Sequence, residues 1–413
     1  MKTTLILILI LIVGVLKAQT FQVGHISVNF KDASRTGGYT ISGGIIMTGS
    51  GRTVGTEIYY PANTSGNNTP IATSGQFPIV VFGHGFAMAW NSYDNIYNRL
   101  ASLGYIVMLP RTEGGTVFPP PNHEEFGKDL KYTATQGLLL NSINTPTALA
   151  MFNGRVIQTS AIGGHSMGAG ASFLATANNI TTTCLFNFAA ATTNNSPNSI
   201  AQASLVTIPS LIISGEKDNV ADTSVQNSHY NKLSSTKKFH TIIKDVTHCD
   251  IGNGSDALCT FGQASCSTPS CNATYFTRYM NFLEPFLANQ LKSDCNAGNQ
   301  FMDSISLPSN SLKGRKIIGT IGCFTTELNE LAKNNYAFYP NPFNNELNFN
   351  LQNTANKIIL VDVHNSIGEK VLTTSINETN SKISFSHLPN GMYIIKLMTH
   401  NNISTFKILK KEN

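Results

Sequence analysis

Short apolar runs recur through the first two thirds of the chain and alternate with stretches of helical spacing. Continuous apolar runs of this length are typical of strands buried on both faces. The runs lie at residues 77–82, 105–109, 159–163, 183–189, 210–214 and 239–244. The helical patterns lie at residues 93–103, 124–141, 169–178, 275–291 and, in part, 220–233. This alternation predicts a mostly parallel sheet covered on both faces, with ligands beyond the carboxyl ends of its strands.

Two other regions have the shorter period of β-strands. Residues 39–48 and 53–60 are rich in β-forming side chains and predict an antiparallel start to the sheet. Near the C-terminus, alternating runs separated by turns such as Pro389-Asn390-Gly391 predict a small β-sandwich over residues 336–413. Those runs lie at 346–350, 357–364, 370–374, 382–385, 392–399 and 404–409.

The N-terminus and the composition indicate an exported protein. Lys2, an apolar stretch over residues 5–16 and Ala18 predict a signal peptide at residues 1–18. We expect one α/β domain over residues 19–292 and a linker over residues 293–335, where no long periodic segment occurs. The net charge of +5 is small and dispersed, so we expect no nucleic-acid partner.

The most informative stretch is residues 160–178, where an apolar run reaches Gly164-His165-Ser166-Met167-Gly168 and a helix-forming run follows. This is the G-x-S-x-G pattern in its strand–turn–helix context. A serine on such a sharp turn exposes its hydroxyl, and glycines on either side avoid Cβ clashes. The pattern predicts that Ser166 is a nucleophile at the carboxyl edge of the sheet.

The partners of a nucleophilic serine are expected just after later strands of the same sheet. Asp218 follows the run at 210–214, and His248 follows the run at 239–244. The order Ser166, Asp218, His248 is the order typical of α/β-hydrolases. In this interpretation His248 accepts the serine proton, while Asp218 fixes the imidazole tautomer and stabilises the imidazolium.

Other acidic and imidazole side chains are alternatives. Glu216 lies two residues before Asp218 and is a rival for the acid. Two further carboxylates are interpreted as solvated loop residues, namely Asp222 and Asp245. Three histidines are interpreted as structural or surface residues, namely His123, His229 and His240. Two that flank the site are expected to shape it, namely His84 and His165.

An oxyanion hole needs two backbone N–H donors close to the nucleophile. The first is predicted to be Met167, the residue after Ser166, and the second Phe86, in the loop after residues 77–82. Gly83 and Gly85 permit the tight turn that would direct the Phe86 amide.

Seven cysteines are compatible with export, because disulfides persist outside the cytosol. Cys184 lies in an apolar run and is predicted to be the free, buried cysteine. The other six allow up to three disulfides in any of fifteen pairings, and a bridge between Cys295 and Cys323 is one hypothesis. No cysteine–histidine spacing matches a zinc site, so we predict no metal and no cofactor.

Residues 77–291 resemble the cutinase-like polyester hydrolases, which include poly(ethylene terephthalate) hydrolases. The resemblance rests on Gly85-Phe86-Ala87, residues 101–105 and 164–179, Glu216-Lys217-Asp218-Asn219-Val220-Ala221 and Thr247-His248-Cys249. It implies the α/β-hydrolase fold and a substrate site that includes Phe86, Met167 and the adjacent His165. The tryptophan that the family commonly has after the strand at 183–189 is absent, because residues 189–195 read Ala-Ala-Ala-Thr-Thr-Asn-Asn.

The C-terminal sequence resembles the sorting domain of the type IX secretion system. Pro340-Asn341-Pro342, Leu388-Pro389-Asn390-Gly391-Met392-Tyr393 and residues 407–411 carry this resemblance. It implies that the type IX machinery is a partner and that the chain crosses the outer membrane.

The sequence therefore predicts a secreted, monomeric serine hydrolase of carboxylic esters, with polyesters such as poly(ethylene terephthalate) or cutin as candidate substrates. The alternative is a non-catalytic surface-binding protein on a hydrolase scaffold. An intact Ser166, Asp218 and His248 set favours the enzyme.

Overall fold

The computed structural model describes most of the chain as two compact units, divided after Cys323. The described residues are 20–35, 39–40, 46–47, 51–114, 120–141, 147–193, 197–254, 269–307, 309–323, 336–351, 359–366, 368–376, 380–398 and 403–411. The predicted signal peptide lies outside these ranges, as do Cys259 and Cys266.

Ten strands of the described chain form one sheet in the first unit. The strands of this unit are β1 (Gln22–Asp32), β2 (Tyr39–Thr40), β3 (Ile46–Met47), β4 (Arg52–Ala62), β5 (Gly66–Asn67), β6 (Phe77–Gly83), β7 (Ile106–Pro110), β8 (Val156–His165), β9 (Cys184–Phe188), β10 (Ser210–Gly215), β11 (Lys238–Ile243) and β12 (Leu312–Ile318). β2 and β3 pair with each other, and the other strands follow the order β12-β11-β10-β9-β8-β6-β7-β4-β1-β5.

The centre of this sheet is parallel. β7, β6, β8, β9, β10 and β11 pair with parallel neighbours, whereas β4 is antiparallel to both β1 and β7, and β12 is antiparallel to β11. All residues of β6, β7, β9 and β10 are buried, which explains their mostly apolar sequences. The predicted mostly parallel α/β sheet is therefore confirmed. Its antiparallel start differs from the prediction, because β4 pairs with β1, whereas the described parts of the predicted strand over residues 39–48, β2 and β3, pair with each other.

Helices cover both faces of the sheet and bury a separate apolar cluster on each. They are α1 (Asp94–Ser102), α2 (His123–Leu139), α3 (Met167–Thr176), α4 (Ser199–Ala203), α5 (Thr223–Lys232), α6 (Pro269–Lys292) and α7 (Cys295–Ser306). The side chains of Asn122 and Asp222 accept backbone N–H groups at the first turns of α2 and α5, which fixes where each helix begins. No helix within the described ranges is long and apolar enough to cross a membrane.

Part of the predicted linker over residues 293–335 forms regular structure, namely α7 and β12. α7 packs Phe301 and Ile305 into the apolar cluster beneath the sheet, and β12 extends the sheet beyond β11. The sequence did not predict this strand, because it lies at the edge of the sheet and its basic residues hide the apolar pattern of a strand. These residues are Lys313, Arg315 and Lys316. A disulfide joins Cys295 to Cys323, as hypothesised, and Cys184 is free and buried, as predicted.

The second unit consists of two small antiparallel sheets around one apolar cluster. Its strands are β13 (Tyr336–Tyr339), β14 (Glu346–Leu351), β15 (Ile359–His364), β16 (Lys370–Ile376), β17 (Asn380–Ser384), β18 (Gly391–Met398) and β19 (Ile403–Lys410). One sheet has the order β13-β14-β17 and the other β16-β15-β18-β19. Leu347 and Phe349 of the first face Val361, Val363 and Ile395 of the second in this cluster. The predicted β-sandwich pattern is confirmed, apart from β13, which was not anticipated.

A buried charge cluster joins Arg52 of β4 to Glu113, which follows β7, and to Asp129 of α2. The Arg52 guanidinium, only 1% exposed, donates to Asp129 Oδ1 at 2.7 Å and to Glu113 Oε1 at 2.8 Å. Burial raises the pKa of Glu113, whereas its bonds to Arg52 and to the Asn122 amide oppose that rise. The cluster therefore ties β4 to the start of α2, which borders the carboxyl edge of the sheet.

We expect Arg52→Ala to lower the free energy of unfolding of the first unit by about 3–5 kcal/mol, because it leaves the buried Glu113 without its cation and Asp129 with Arg35 alone. Trp90 is the single tryptophan of the chain and lies in this unit, so its fluorescence during urea unfolding reports the effect. Arg99→Ala is the matched control, because Arg99 and Glu284 form an exposed pair whose loss costs about 1 kcal/mol or less. Equal effects of the two substitutions would contradict this account.

Candidate active site

Ser166 lies on a strained turn between β8 and α3. Its φ of 52° and ψ of −114° place it in a region that a residue with a side chain rarely adopts. The turn is possible because glycine backbones meet beneath it: a Cβ on Gly164 or Gly168 would clash with the carbonyl oxygen of Gly83. β6 and α3 can therefore approach closely, and the Ser166 side chain projects above the sheet edge.

The structure brings Ser166, His248 and Asp218 into one hydrogen-bonded line. His248 Nδ1 lies 2.8 Å from Asp218 Oδ2, and His248 Nε2 lies 2.8 Å from Ser166 Oγ. A carboxylate only accepts hydrogen bonds, so Nδ1 carries the proton and Nε2 presents a lone pair to the serine O–H. All three residues are buried, which keeps competing water away from these bonds.

Backbone amides hold Asp218 in this line. Its Oδ1 accepts the N–H groups of Val220 and Ala221, both at 2.9 Å, which leaves Oδ2 for His248. The rival acids lie elsewhere. Glu216 pairs with Lys313 at 2.9 Å, Asp245 pairs with Lys217, and Asp222 caps α5.

The two predicted oxyanion donors flank the serine from different segments. Met167 is the first residue of α3, where a backbone N–H has no partner inside the helix. Phe86 lies in the loop after β6, before Ala87 with its positive φ of 53°. Neighbouring amides are already engaged, since Gly85 N–H donates to Tyr93 Oη and Gly168 N–H donates to the His84 carbonyl.

A cavity of about 250 Å³ opens beside Ser166. Its lining is mainly apolar and consists of Phe86, Met167, Ala191, Val220, Ala221 and Val225, with the polar side chains of His123, Ser166 and Thr192. Phe86 and Val220 remain 43% and 60% exposed, so an apolar rim surrounds the opening. Such a cavity suits an apolar group of a small ligand.

His123 is a lining residue that sequence reasoning missed, because its place near a helix start was interpreted as structural. It is the first residue of α2, and burial lowers the pKa of its imidazole. The order of the elements could have predicted its position. α2 follows β7, and helices that follow parallel strands begin at the edge of the sheet where ligands bind.

His165 was predicted to belong to the substrate site, and this stays a prediction. Its side chain is fully buried behind Ser166 and does not border the cavity. Residues on either side of the nucleophile point in different directions, because the turn reverses the chain there. His84 is also buried, with its ring nitrogens near the carbonyl oxygens of Gly85 and Thr112.

A second buried histidine anchors the cavity wall formed by Ala191 and Thr192. His229 Nδ1–H donates to the Val225 carbonyl at 3.0 Å, so Nε2 accepts the hydroxyl proton of Ser199 at 2.9 Å. Ser199 Oγ in turn accepts the amide of Thr193, the residue after Thr192. Burial lowers the pKa of His229 from 6.5 to about 4, so the ring is neutral at pH 7.

Two family models match the chain. One, described as PET hydrolase-like, matches residues 17–286, and the other, described as a secretion system C-terminal sorting domain, matches residues 337–411. The comparison with curated proteins finds no match. The sorting domain indicates export by type IX secretion to the cell surface or beyond. Within the described residues, no group of three or more histidine, cysteine or acidic side chains could hold a metal ion.

We expect the first unit to lose stability as the pH falls from 6.5 toward about 4. The folded-state pKa of His229 lies below its unfolded value, so the unfolded chain binds the proton first and acid favours unfolding. His240, whose pKa is lowered to about 3 by burial, acts in the same direction. Each such histidine contributes up to about 1.4 kcal/mol per pH unit.

Urea unfolding followed by Trp90 fluorescence at several pH values measures this slope. His229→Gln should reduce the slope in that window, whereas substitution of the exposed His387 in the second unit should leave it unchanged. If the unfolding free energy depends on pH equally in all three proteins, the assignment of this dependence to His229 is contradicted.

Proposed function

Because this chain belongs to the PET hydrolase-like family, we propose that it is an exported serine hydrolase that cleaves carboxylic esters through an acyl-enzyme. The observation that carries the proposal is the bonded line from Ser166 Oγ through His248 to Asp218, beside an apolar cavity. A protein that only binds surfaces would not need this arrangement on a strained turn, which is costly to maintain.

The acylation step follows from the direction of these bonds. Ser166 Oγ attacks the ester carbonyl carbon while its proton passes to His248 Nε2, and Asp218 stabilises the imidazolium. The carbonyl oxygen becomes an oxyanion between the N–H groups of Phe86 and Met167. When the C–O bond of the ester breaks, the imidazolium gives its proton to the leaving alcohol, and the acyl group stays on Ser166.

Deacylation repeats these steps with water as the nucleophile. His248 Nε2 removes a proton from the water as it attacks the acyl carbon, and the same two amides stabilise the second oxyanion. Ser166 then recovers its proton from His248, and the carboxylic acid is released. The cavity wall of Met167, Ala191 and Val220 supplies apolar contact for the acyl group in both steps.

We propose short and medium acyl esters as substrates, and polyesters through contacts at the rim. Phe86 and Val220 project outside the cavity, so they can contact segments of a polymer that do not enter it. The wall at Ala191 and Thr192 carries no aromatic ring to stack on an aromatic acyl group. Aliphatic polyesters are therefore the better match than poly(ethylene terephthalate).

Hydrolysis of p-nitrophenyl butyrate by the mature protein tests the activity. We expect Ser166→Ala to lower kcat by about 10⁴-fold or more, because no other group can form the acyl-enzyme. The variant should bind polyester films as the wild type does but release no acid or alcohol from them. If the wild type and Ser166→Ala are equally inactive, the protein is a surface-binding module.

The identity of the acid is tested with two matched amides. Asp218→Asn should lower kcat by about 10⁴-fold, because an amide at this position no longer holds the tautomer that His248 needs. Glu216→Gln removes a carboxylate two residues away that pairs with Lys313, and it should change kcat by less than about twofold. The reverse ranking in ester assays would assign the role to Glu216.

A further inference from the structure

A buried chain of hydrogen bonds runs behind the nucleophile and is not part of the reaction line. Gly85 N–H donates to Tyr93 Oη at 2.9 Å, and this oxygen lies 2.8 Å from His165 Nδ1. On the other side of the ring, His165 Nε2 lies 2.8 Å from the carbonyl oxygen of His248. Tyr93 and His165 are both fully buried.

The donor and the acceptor of each bond follow from the group at the end of the chain, the carbonyl oxygen of His248. A carbonyl oxygen only accepts, so His165 Nε2 carries the proton, and in the neutral ring Nδ1 has a free lone pair. The Tyr93 hydroxyl therefore donates to Nδ1. Met88 Sδ lies 3.0 Å from the same hydroxyl, but a thioether sulfur is a weaker acceptor than an imidazole nitrogen. The chain runs in one direction, from the Gly85 amide to the His248 carbonyl.

The two ends of this chain belong to different parts of the reaction centre. Gly85 immediately precedes Phe86, whose amide is the proposed oxyanion donor in the loop after β6. His248 lies in the loop after β11, more than 160 residues later. His165 lies between them, next to Ser166, and its ring centroid is 4.7 Å from that of His248.

We propose that Tyr93 and His165 are positioning residues. They hold the loop of Gly85 and Phe86, called the oxyanion loop, and the loop of His248 at fixed positions relative to Ser166. The inference rests on the proposed ester hydrolysis and concerns the same site. Because the Phe86 amide stabilises charge only in the transition state, a small rotation of the Gly85–Phe86 peptide should affect turnover more than substrate binding. Fixing the His248 carbonyl likewise limits how far its ring can drift from Ser166 Oγ.

The neutral state of His165 supports this role. Burial and the neighbouring His248 hold the pKa of His165 well below its ordinary value, so the ring stays neutral. A charged His165 would carry a proton on Nδ1, reverse the bond to Tyr93 and repel the imidazolium that forms on His248. The groups that contact the ring are Tyr93 and His248.

Tyr93→Phe tests the proposal with Tyr60→Phe as the matched control. Tyr60 is also fully buried, and its hydroxyl donates to the Thr69 carbonyl at 2.7 Å, away from Ser166. We expect Tyr93→Phe to lower kcat for p-nitrophenyl butyrate by about 10–100-fold with little change in KM, and Tyr60→Phe to leave both unchanged. Amide hydrogen exchange at Gly85 should accelerate only in Tyr93→Phe, because that amide loses its acceptor.

His165 gives an independent pair of variants. His165→Gln keeps a donor that can reach the His248 carbonyl, whereas His165→Phe keeps the ring volume and neither bond. The glutamine variant should therefore retain more activity, and adding Tyr93→Phe to His165→Phe should cost little further, because the chain is already broken.

Three results separate the possibilities. If Tyr93→Phe has wild-type kcat and wild-type Gly85 exchange, the positioning role is overturned. Additive kinetic effects of Tyr93→Phe and His165→Phe also overturn it. If the wild type hydrolyses no ester, the proposed function fails instead, and Gly85 exchange still decides whether Tyr93 holds the oxyanion loop.

Discussion

One imidazole that makes two hydrogen bonds at once is the constraint on which the site depends. His248 has to face Asp218 with one nitrogen and Ser166 with the other, and both distances are 2.8 Å. A neutral ring can do this in only one tautomer, with the proton on the Asp218 side. Three segments distant in sequence must therefore end within a few ångströms of each other, and the parallel sheet achieves this by bringing its strand ends to one edge.

Polar groups that are buried and fully partnered hold this edge in place. The Arg52 cluster fixes the start of α2, the bond from His229 to Ser199 fixes the wall at Thr192, and the chain through Tyr93 and His165 fixes the loops around the nucleophile. Apolar packing alone is less directional, whereas a buried hydrogen bond fails if its partner moves by an ångström or turns away. A consequence is that acid lowers the stability of the fold, because the histidines in these networks are buried in their neutral form.

Most of the parallel core and the three side chains of the hydrogen-bonded line could be predicted from the sequence, for a physical reason. Strands buried on both faces leave continuous apolar runs, and the turn at Ser166 requires glycines at 164 and 168, so both features have local signatures. β12 had no such signature, because an edge strand is partly exposed to solvent and a sequence rich in basic residues is also typical of a loop. His123 and Tyr93 were missed because their roles come from contacts with distant segments. The sequence could not show that the His165 side chain is buried, since a motif gives spacing but not the direction of each side chain.

The difference between local motifs and contacts of distant segments also applies to substrate preference. The residues that perform the proposed reaction lie within short motifs. The cavity wall, in contrast, includes Ala191 and Thr192, Val220 and His123, which come from two separate loops and the start of α2. Where related sequences commonly have a large aromatic ring after β9, this chain has small side chains anchored from behind by Ser199 and His229. An anchored wall of small residues keeps the cavity open in a fixed shape without a stacking surface. For the proposed reaction, selectivity should therefore arise from the shape and apolar character of this wall, whereas the chemistry should depend on the line of Ser166, His248 and Asp218.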